Sequence, residues 1–215
     1  MNFTIIGAGN MGRGIATRLL SGGNSVVSVD RDEAEARKLA DELRGGAQGG
    51  ATVSTAGVGS PINSDAVVLA VYYPSIPEIL SQYGDQLAGK IIVDIANPLN
   101  ETFDDLATPP GTSSAEETAK RAPAGAKVVK AFNTTFAGTL VQGQVAGESL
   151  DVFIAGDDQS AKDRLAEAFR ASGLRPIDAG PLKRARQLEG IGLLHIALQG
   201  TLGTNWGSTV KILPS

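Results

Sequence analysis

Asn2-Phe3-Thr4-Ile5-Ile6-Gly7-Ala8-Gly9-Asn10-Met11-Gly12 decides the fold, and Arg13-Gly14-Ile15-Ala16-Thr17-Arg18-Leu19-Leu20 continues it without a break. An apolar run, then G-x-G-x-x-G, then apolar residues at helical spacing is the strand-turn-helix that holds a dinucleotide pyrophosphate. Gly7 allows the tight turn out of the strand, Gly9 lets backbone approach phosphate with no Cβ in the way, and Gly12 lets helix and strand pack closely. The negative charge of the ligand then meets the free N–H groups and positive end of the helix. Glycine makes up 27 of 215 residues, well above the usual share of ~7%, so the motif alone is weak. Its flanks strengthen it: Phe3, Ile5 and Ile6 before it, Ile15, Leu19 and Leu20 after it. The next apolar run, Ser25-Val26-Val27-Ser28-Val29, ends at Asp30, about where the ribose-binding acid of such a fingerprint falls.

Downstream, strands and helices alternate. Helical patterns cover residues 32–43 and 75–87, with a short strand candidate at 51–54 and a continuous apolar strand, Ala66-Val67-Val68-Leu69-Ala70-Val71, of the kind buried on both faces of a parallel sheet. Residues 90–96 form the next strand, and a long polar segment with Pro109-Pro110-Gly111 comes after Asn97-Pro98-Leu99-Asn100. Connections of that length are functional or disordered more often than idle. Ser113 or Ser114 caps a helix through residue 122, residues 127–132 and 150–155 are strands, Asp158 caps a helix to 172, and residues 175–179 form a last short strand. Residues 182–202 read as a long apolar helix carrying Leu188, Ile191, Leu194, His195, Leu198 and Leu202. This rhythm predicts an α/β fold, a Rossmann-type doubly wound and mainly parallel sheet with a short C-terminal helical segment, divided as a dinucleotide-binding domain over residues 1–180 and a helical segment over 181–215 that packs on it or on a second subunit. Ligands of such sheets sit outside the carboxyl ends of the strands, here the loops after Ile6, Val29, Val71, Ala96 and Phe132.

Composition narrows the chemistry. The chain has a formal net charge of −4, no cysteine and one histidine. Without a basic cluster, nucleic acid and anionic membrane are poor partners, and without Cys or a paired-carboxylate motif no metal site is expected. The amino terminus opens directly on the first strand and no apolar stretch approaches a membrane span, which predicts a cytoplasmic protein.

The chain resembles the dinucleotide-binding family that includes the NADPH:deazaflavin oxidoreductases, a domain related to the reductase domain of the six-transmembrane metalloreductases. The likeness is carried by Gly7-Ala8-Gly9-Asn10-Met11-Gly12, Asp94-Ile95-Ala96-Asn97-Pro98-Leu99-Asn100, Lys130-Ala131-Phe132-Asn133-Thr134, Gly156-Asp157-Asp158 and Asp178-Ala179-Gly180-Pro181-Leu182, in the family's order over nearly the whole chain. It implies hydride transfer between NADP or NAD and a second redox partner, a deazaflavin or a flavin. It also implies nucleotide contacts from Gly9, Asn10, Met11 and Gly12, Asp30 and Arg31, Val71, Tyr72, Tyr73 and Pro74, Asn97 and Pro98, and Ala131, with the second ring near Asn133 and Thr134. Two departures bear on the ligands. Where the deazaflavin enzymes carry Ser-Arg-Arg and then a Lys, this chain has Asp30-Arg31-Asp32 and Glu35; a carboxylate there opposes a 2′-phosphate and suits ribose hydroxyls, while Arg31 and the family pattern favour NADP. Asn133 replaces the family's frequent His, and Lys-Ala-Phe-Asn-Thr is associated with flavin.

Hydride transfer between two rings asks the protein for positioning, not for an obligatory acid or base. No Ser-His-Asp set or strongly placed Lys is evident, so no catalytic residue is expected, with Asn133, Thr134 and Tyr72 as candidate positioning groups. Tyr72 and Tyr73 serve equally as pocket lining or as packing, Asn97-Pro98 as cofactor contact or as turn, and His195 reads first as a hydrogen-bonded core or interface histidine. The apolar C-terminal helix predicts a homodimer. Two other functions remain open: reduction of a small imine or keto substrate, although only about 35 residues come after Gly180, and a dinucleotide-sensing module without turnover.

Overall fold

The run Asn2–Ile6 forms strand β1, buried throughout after Asn2. The structure, a computed structural model, describes residues 1–213; the last two residues of the expected C-terminal segment lie outside them. From β1 the chain passes through α1 (Asn10–Ser21), β2 (Ser25–Val29), α2 (Glu33–Leu43), β3 (Val53–Thr55), β4 (Ala66–Leu69), α3 (Ile76–Tyr83), β5 (Ile91–Asp94), α4 (Ser114–Arg121) and β6 (Lys127–Lys130). It continues through α5 (Ala137–Gln142), the hairpin β7 (Gln144–Val145) and β8 (Glu148–Ser149), then β9 (Asp151–Gly156), α6 (Gln159–Ala171), β10 (Arg175–Gly180) and α7 (Ala185–Leu202). Asp32 and Asp158 cap α2 and α6 by accepting from Ala34 N and Ala161 N at 2.9 and 2.8 Å, as short acceptor side chains at that position do.

Eight strands form one sheet in the order β10-β9-β6-β5-β4-β1-β2-β3. The chain winds one way from β1 through β2 to β3 and the other way from β4 through β5 to β6, so the switch point lies between β1 and β4. Six strands, β3 to β6 across the sheet, are parallel. The last two run the other way, since β9 pairs antiparallel with β6 and β10 parallel with β9. The reversal comes from the connection. Between β6 and β9 the chain folds back through α5 and a hairpin, neither expected from the sequence, and an antiparallel neighbour needs no helical crossover.

Register decides which loops share an edge. Ile6 pairs with both Val29 and Leu69, Leu69 with Asp94, and Asp94 with Lys130. One rung thus carries Val29, Ile6, Leu69, Asp94 and Lys130, and the loops that leave these residues all emerge side by side.

Both faces of the sheet are covered. On one face Phe3, Ile5, Val26, Val68, Val93 and Val129 pack under α1, α5 and α6; on the other Ile6, Val29, Val67, Leu69, Ile92 and Val128 pack under α3, α4, Leu182 and, at the start of α7, Ala185. Central strands buried on both sides explain the unbroken apolar runs. The expected strand over 127–132 stops at Lys130, because the chain turns at Phe132, which holds φ +62°, and Thr135 N donates to Phe132 O at 3.0 Å. The expected helix over 182–202 opens with a tight 3-10 turn, Leu182–Arg184, before α7 begins. Among the described residues no helix is long and apolar enough to cross a membrane.

α5 lies against α1 at Gly14, where an added Cβ would stand 2.9 Å from Ala137 O and 3.0 Å from Leu140 Cβ. Gly14→Leu therefore pushes two helices apart, and a urea titration is expected to show a loss of about 1–3 kcal/mol, the usual cost of overpacking.

Candidate functional site

The glycine-rich turn separates glycines that serve the fold from one that clears space. Gly7 has φ +112°, which side chains with a Cβ rarely adopt, and a Cβ there would overlap the Ala70 carbonyl at the end of β4. A Cβ on Gly12 would overlap the Gly7 carbonyl. At Gly9 an added Cβ meets nothing within 4 Å: the room it would fill belongs to no part of the protein. Gly9 is also the N-cap of α1, with no side-chain cap and no acidic residue in the first turn. The first-turn N–H groups, near exposed Asn10 and half-buried Met11, are thereby left to an outside acceptor. These features fit the pyrophosphate of a dinucleotide.

Asp30 is drawn against the same turn. Its Oδ2 accepts from Ala8 N at 2.7 Å and its Oδ1 from Asp32 N at 3.0 Å, while Gly7 N donates to Val29 O at 2.8 Å. The carboxylate is held at the end of β2, against the glycine turn. Arg31, beside it, is exposed. A shallow cleft here is lined by Asp30, Arg31, Asp32, Glu33, Ala34 and Arg37.

Past the switch point, the ends of β5 and β6 are tied together. Asn97 Nδ2 donates to Asn133 O at 2.7 Å, and Asn133 Nδ2 donates to Asn97 Oδ1 at 2.9 Å and to Leu188 O at 2.8 Å. The two asparagines brace each other and α7, which crosses close enough that a Cβ on Gly192 would overlap the Asn97 amide. Pro98 and Thr134 are buried, and Ala131 lies in the core with only its backbone at the edge, Ala131 N donating to Asp94 O at 3.1 Å. After β4, Val71 and Tyr73 are half-buried and Pro74 exposed; Tyr72 is 88% exposed and stands clear of the packed surface. Burial raises the Tyr73 phenol above its ordinary range.

Below this edge lies a buried ion cluster that the sequence did not reveal. Lys130, fully buried, donates to Asp94 Oδ1 at 2.9 Å, to Glu189 Oε1 of α7 at 2.8 Å, and to Ala96 O. All three ammonium donors are thus used. Asp94 in turn accepts from Ala96 N at 2.9 Å, Ser114 Oγ at 2.8 Å and Thr118 Oγ1 at 2.9 Å, and Glu189 accepts from Ser114 N at 3.1 Å. Burial by itself would lower the Lys130 ammonium, but the Asp94 and Glu189 carboxylates outweigh it and hold it above its usual range. The cluster locks β5, β6, α4 and α7 into one body. Lys130 stands beside Asp94 on the neighbouring strand; Glu189, far along the chain inside an apolar helix, gave no local signal.

His195 is buried against the loop after β6. Its Nε2 lies 2.8 Å from Ser208 Oγ, its ring stacks on Phe136 at 4.2 Å, and Phe136 meets Trp206 edge-on at 5.0 Å. Burial lowers its pKa, so it is neutral near pH 7.

Residues 2–98 match the family model described as NADP oxidoreductase, coenzyme F420-dependent. The F420-dependent NADP reductase of Methanothermobacter thermautotrophicus is 30% identical over 208 residues, covering 92% of this chain and 89% of that protein. The chain belongs to the F420-dependent NADP reductase family. It is accordingly an NAD(P)-dependent oxidoreductase. A crystal structure of a putative F420-dependent NADP reductase from Arthrobacter sp. superposes with a TM-score of 0.84 at 30% identity, covering 99% of each chain. Rat metalloreductase STEAP3 is 38% identical over 189 residues, 88% of this chain; the chain spans 36% of that protein's length.

Proposed function

We propose that this chain passes hydride between a nicotinamide dinucleotide and a deazaflavin, both held along the strand-end edge. The observation that carries the reading is the open ground beside Gly9, in front of an uncapped helix end, at the switch point of the sheet. The named F420-dependent NADP reductases, alike over nearly the whole chain, supply the deazaflavin half. The two bound rings bring the electronics of the transfer. The protein's part is to hold them. The α1 N–H groups and the turn from Gly7 to Gly12 bind the pyrophosphate, Asp30 and Arg31 meet the adenosine end, and Val71, Tyr72, Tyr73, Pro74, Asn97, Pro98 and the Ala131 backbone flank the nicotinamide. Asn133 and Thr134 form the floor on the acceptor side, braced by Asn97 and by the Leu188 carbonyl of α7. Fixing two reactants this way is worth up to ~7–11 kcal/mol in favourable cases, and no side chain has to move a proton.

The test monitors the visible absorbance of oxidised coenzyme F420 mixed with the full chain and NADPH or NADH, with free flavin as a parallel acceptor. Rapid loss of the deazaflavin band, faster than reduction of flavin, is expected. An unchanged band with nucleotide demonstrably bound would overturn the deazaflavin reading in favour of a small-substrate reductase or a sensor.

The outer face of α7 supports a homodimer as well. Leu194 and Leu202 are 60% and 55% exposed, and Trp206 beyond the helix is 50% exposed. Large apolar side chains exposed about two turns apart on one helix, at Leu194 and Leu202, support association through that face. Sedimentation is expected to give a dimer, and a monomer at micromolar concentration would contradict it.

A further inference from the structure

We propose that Asp30 makes this chain select the dinucleotide without a 2′-phosphate, NAD(H), although its family is named for NADP; this rests on the dinucleotide reading of the Gly7–Gly12 turn. The adenosine end of the site is crowded with carboxylates already in place. Asp30 uses one oxygen for Ala8 N at 2.7 Å and the other for Asp32 N at 3.0 Å. A carboxylate has about four acceptor positions, so two remain, one on each oxygen, spaced for the neighbouring 2′- and 3′-hydroxyls of an unmodified ribose. The two bonds to backbone fix its direction, since swinging away would leave the turn's Ala8 N–H without its partner.

Of the two cations that could receive a phosphate dianion, Arg31 and Arg37, only Arg31 is uncommitted. The cleft is lined by three carboxylates, Asp30, Asp32 and Glu33, against two guanidiniums, Arg31 and Arg37. Arg37 is paired with Glu33 at 3.4 Å. Asp32 caps α2 through Ala34 N, and Glu33 and Glu35 fill the first turn of that helix, so the positive helix end nearest the ribose is already compensated by anions. Arg31 is the one lining cation that, among the described residues, pairs with no carboxylate, and it stands next to Asp30. A single exposed arginine in a net-negative cleft does not offset a fixed carboxylate facing the same oxygen. The same geometry accepts two hydroxyls with no charge conflict.

Calorimetric titration of the full chain with NADH and NADPH tests this directly. NADH is expected to bind tighter by about tenfold or more, and among fragments 5′-AMP is expected to bind better than 2′,5′-ADP, a comparison that needs no variant. Asp30→Asn keeps an acceptor for Ala8 N while removing the charge, and is expected to shrink the NADH to NADPH ratio about tenfold or more, with NADPH binding strengthened. NADPH binding as tightly as NADH to the unaltered chain, or 2′,5′-ADP outcompeting 5′-AMP, would overturn the assignment and leave the dinucleotide site standing. Binding of neither dinucleotide would overturn the site and the assignment together.

Discussion

Replacing Lys130 by methionine is expected to destabilise the protein by about 3–5 kcal/mol at pH 7, the cost typical of removing one partner of a buried ion cluster. The side chain has no exposed surface, and it is the shared donor to two carboxylates that are also fully buried, Asp94 and Glu189. Burial already pushes the Glu189 carboxyl above its ordinary range, and without the Lys130 cation it is easier still to keep protonated in the folded state than in the unfolded one. An acid whose folded pKa is raised contributes stability below its unfolded pKa and loses it as pH rises. The deficit of Lys130→Met is therefore expected to be smaller near pH 5 than at pH 7, and adding Glu189→Gln is expected to recover part of it, because one of the two orphaned charges goes. Urea denaturation of the three proteins at both pH values measures this. A deficit of less than about 1 kcal/mol, below the range for a broken buried pair, or one independent of pH, would mean that the cluster does not hold α7 to the sheet.

Gly9→Val is expected to do the reverse: to leave stability within about 0.5 kcal/mol, as a substitution that touches nothing does, and to weaken dinucleotide binding about 100-fold or more, roughly 2.8 kcal/mol. Gly9 has φ −70° and ψ −172°, extended backbone open to any residue, and its Cβ meets no atom of the protein. The isopropyl group would stand where pyrophosphate must approach the backbone. Gly7 offers the contrast, since its φ of +112° and the Ala70 carbonyl make alanine there a fault of folding before it is a fault of binding. Thermal melts and a nucleotide titration separate the two. Undiminished binding by Gly9→Val would move the ligand away from the turn.

How much of this was legible in the chain differs by element. The six-stranded parallel part of the sheet was, because central strands are buried on both faces and announce themselves as apolar runs ending in glycine, asparagine or acid at the ligand edge. Gly7, Gly9 and Gly12 read correctly as a turn, and the shared rung that brings Asp30, Gly7 and Ala131 to one edge is a consequence of strand order alone. What escaped had no local pattern. α5 is only six residues long, too short for a period to show. The reversal of β9 and β10 is a matter of connection, not of strand composition. Glu189 sits in an apolar helix where a lone acid looks like a surface residue, and only the fold delivers it to Lys130. Likewise Asp151, wholly buried, draws together Arg175 at 2.6 Å and Ile212 N at 2.8 Å, pinning Ile212 to the start of β9 through contacts far apart in sequence. Asn97 and Asn133 were singled out for their positions at strand ends; their mutual amide bonds, which turn two separate loops into one floor, were not visible there.

The most direct measurement is of the hydride itself. Incubating the protein with nicotinamide dinucleotide deuterated at C4 of the reduced ring and oxidised coenzyme F420 in ordinary water, then examining the reduced deazaflavin by NMR, tracks the atom that is held to move. Deuterium at the reduced ring carbon of the deazaflavin, from one face of the nicotinamide only, is the expected result. Reduced deazaflavin that carries solvent hydrogen there, or no reduced deazaflavin at all with both ligands bound, would contradict direct transfer across this site.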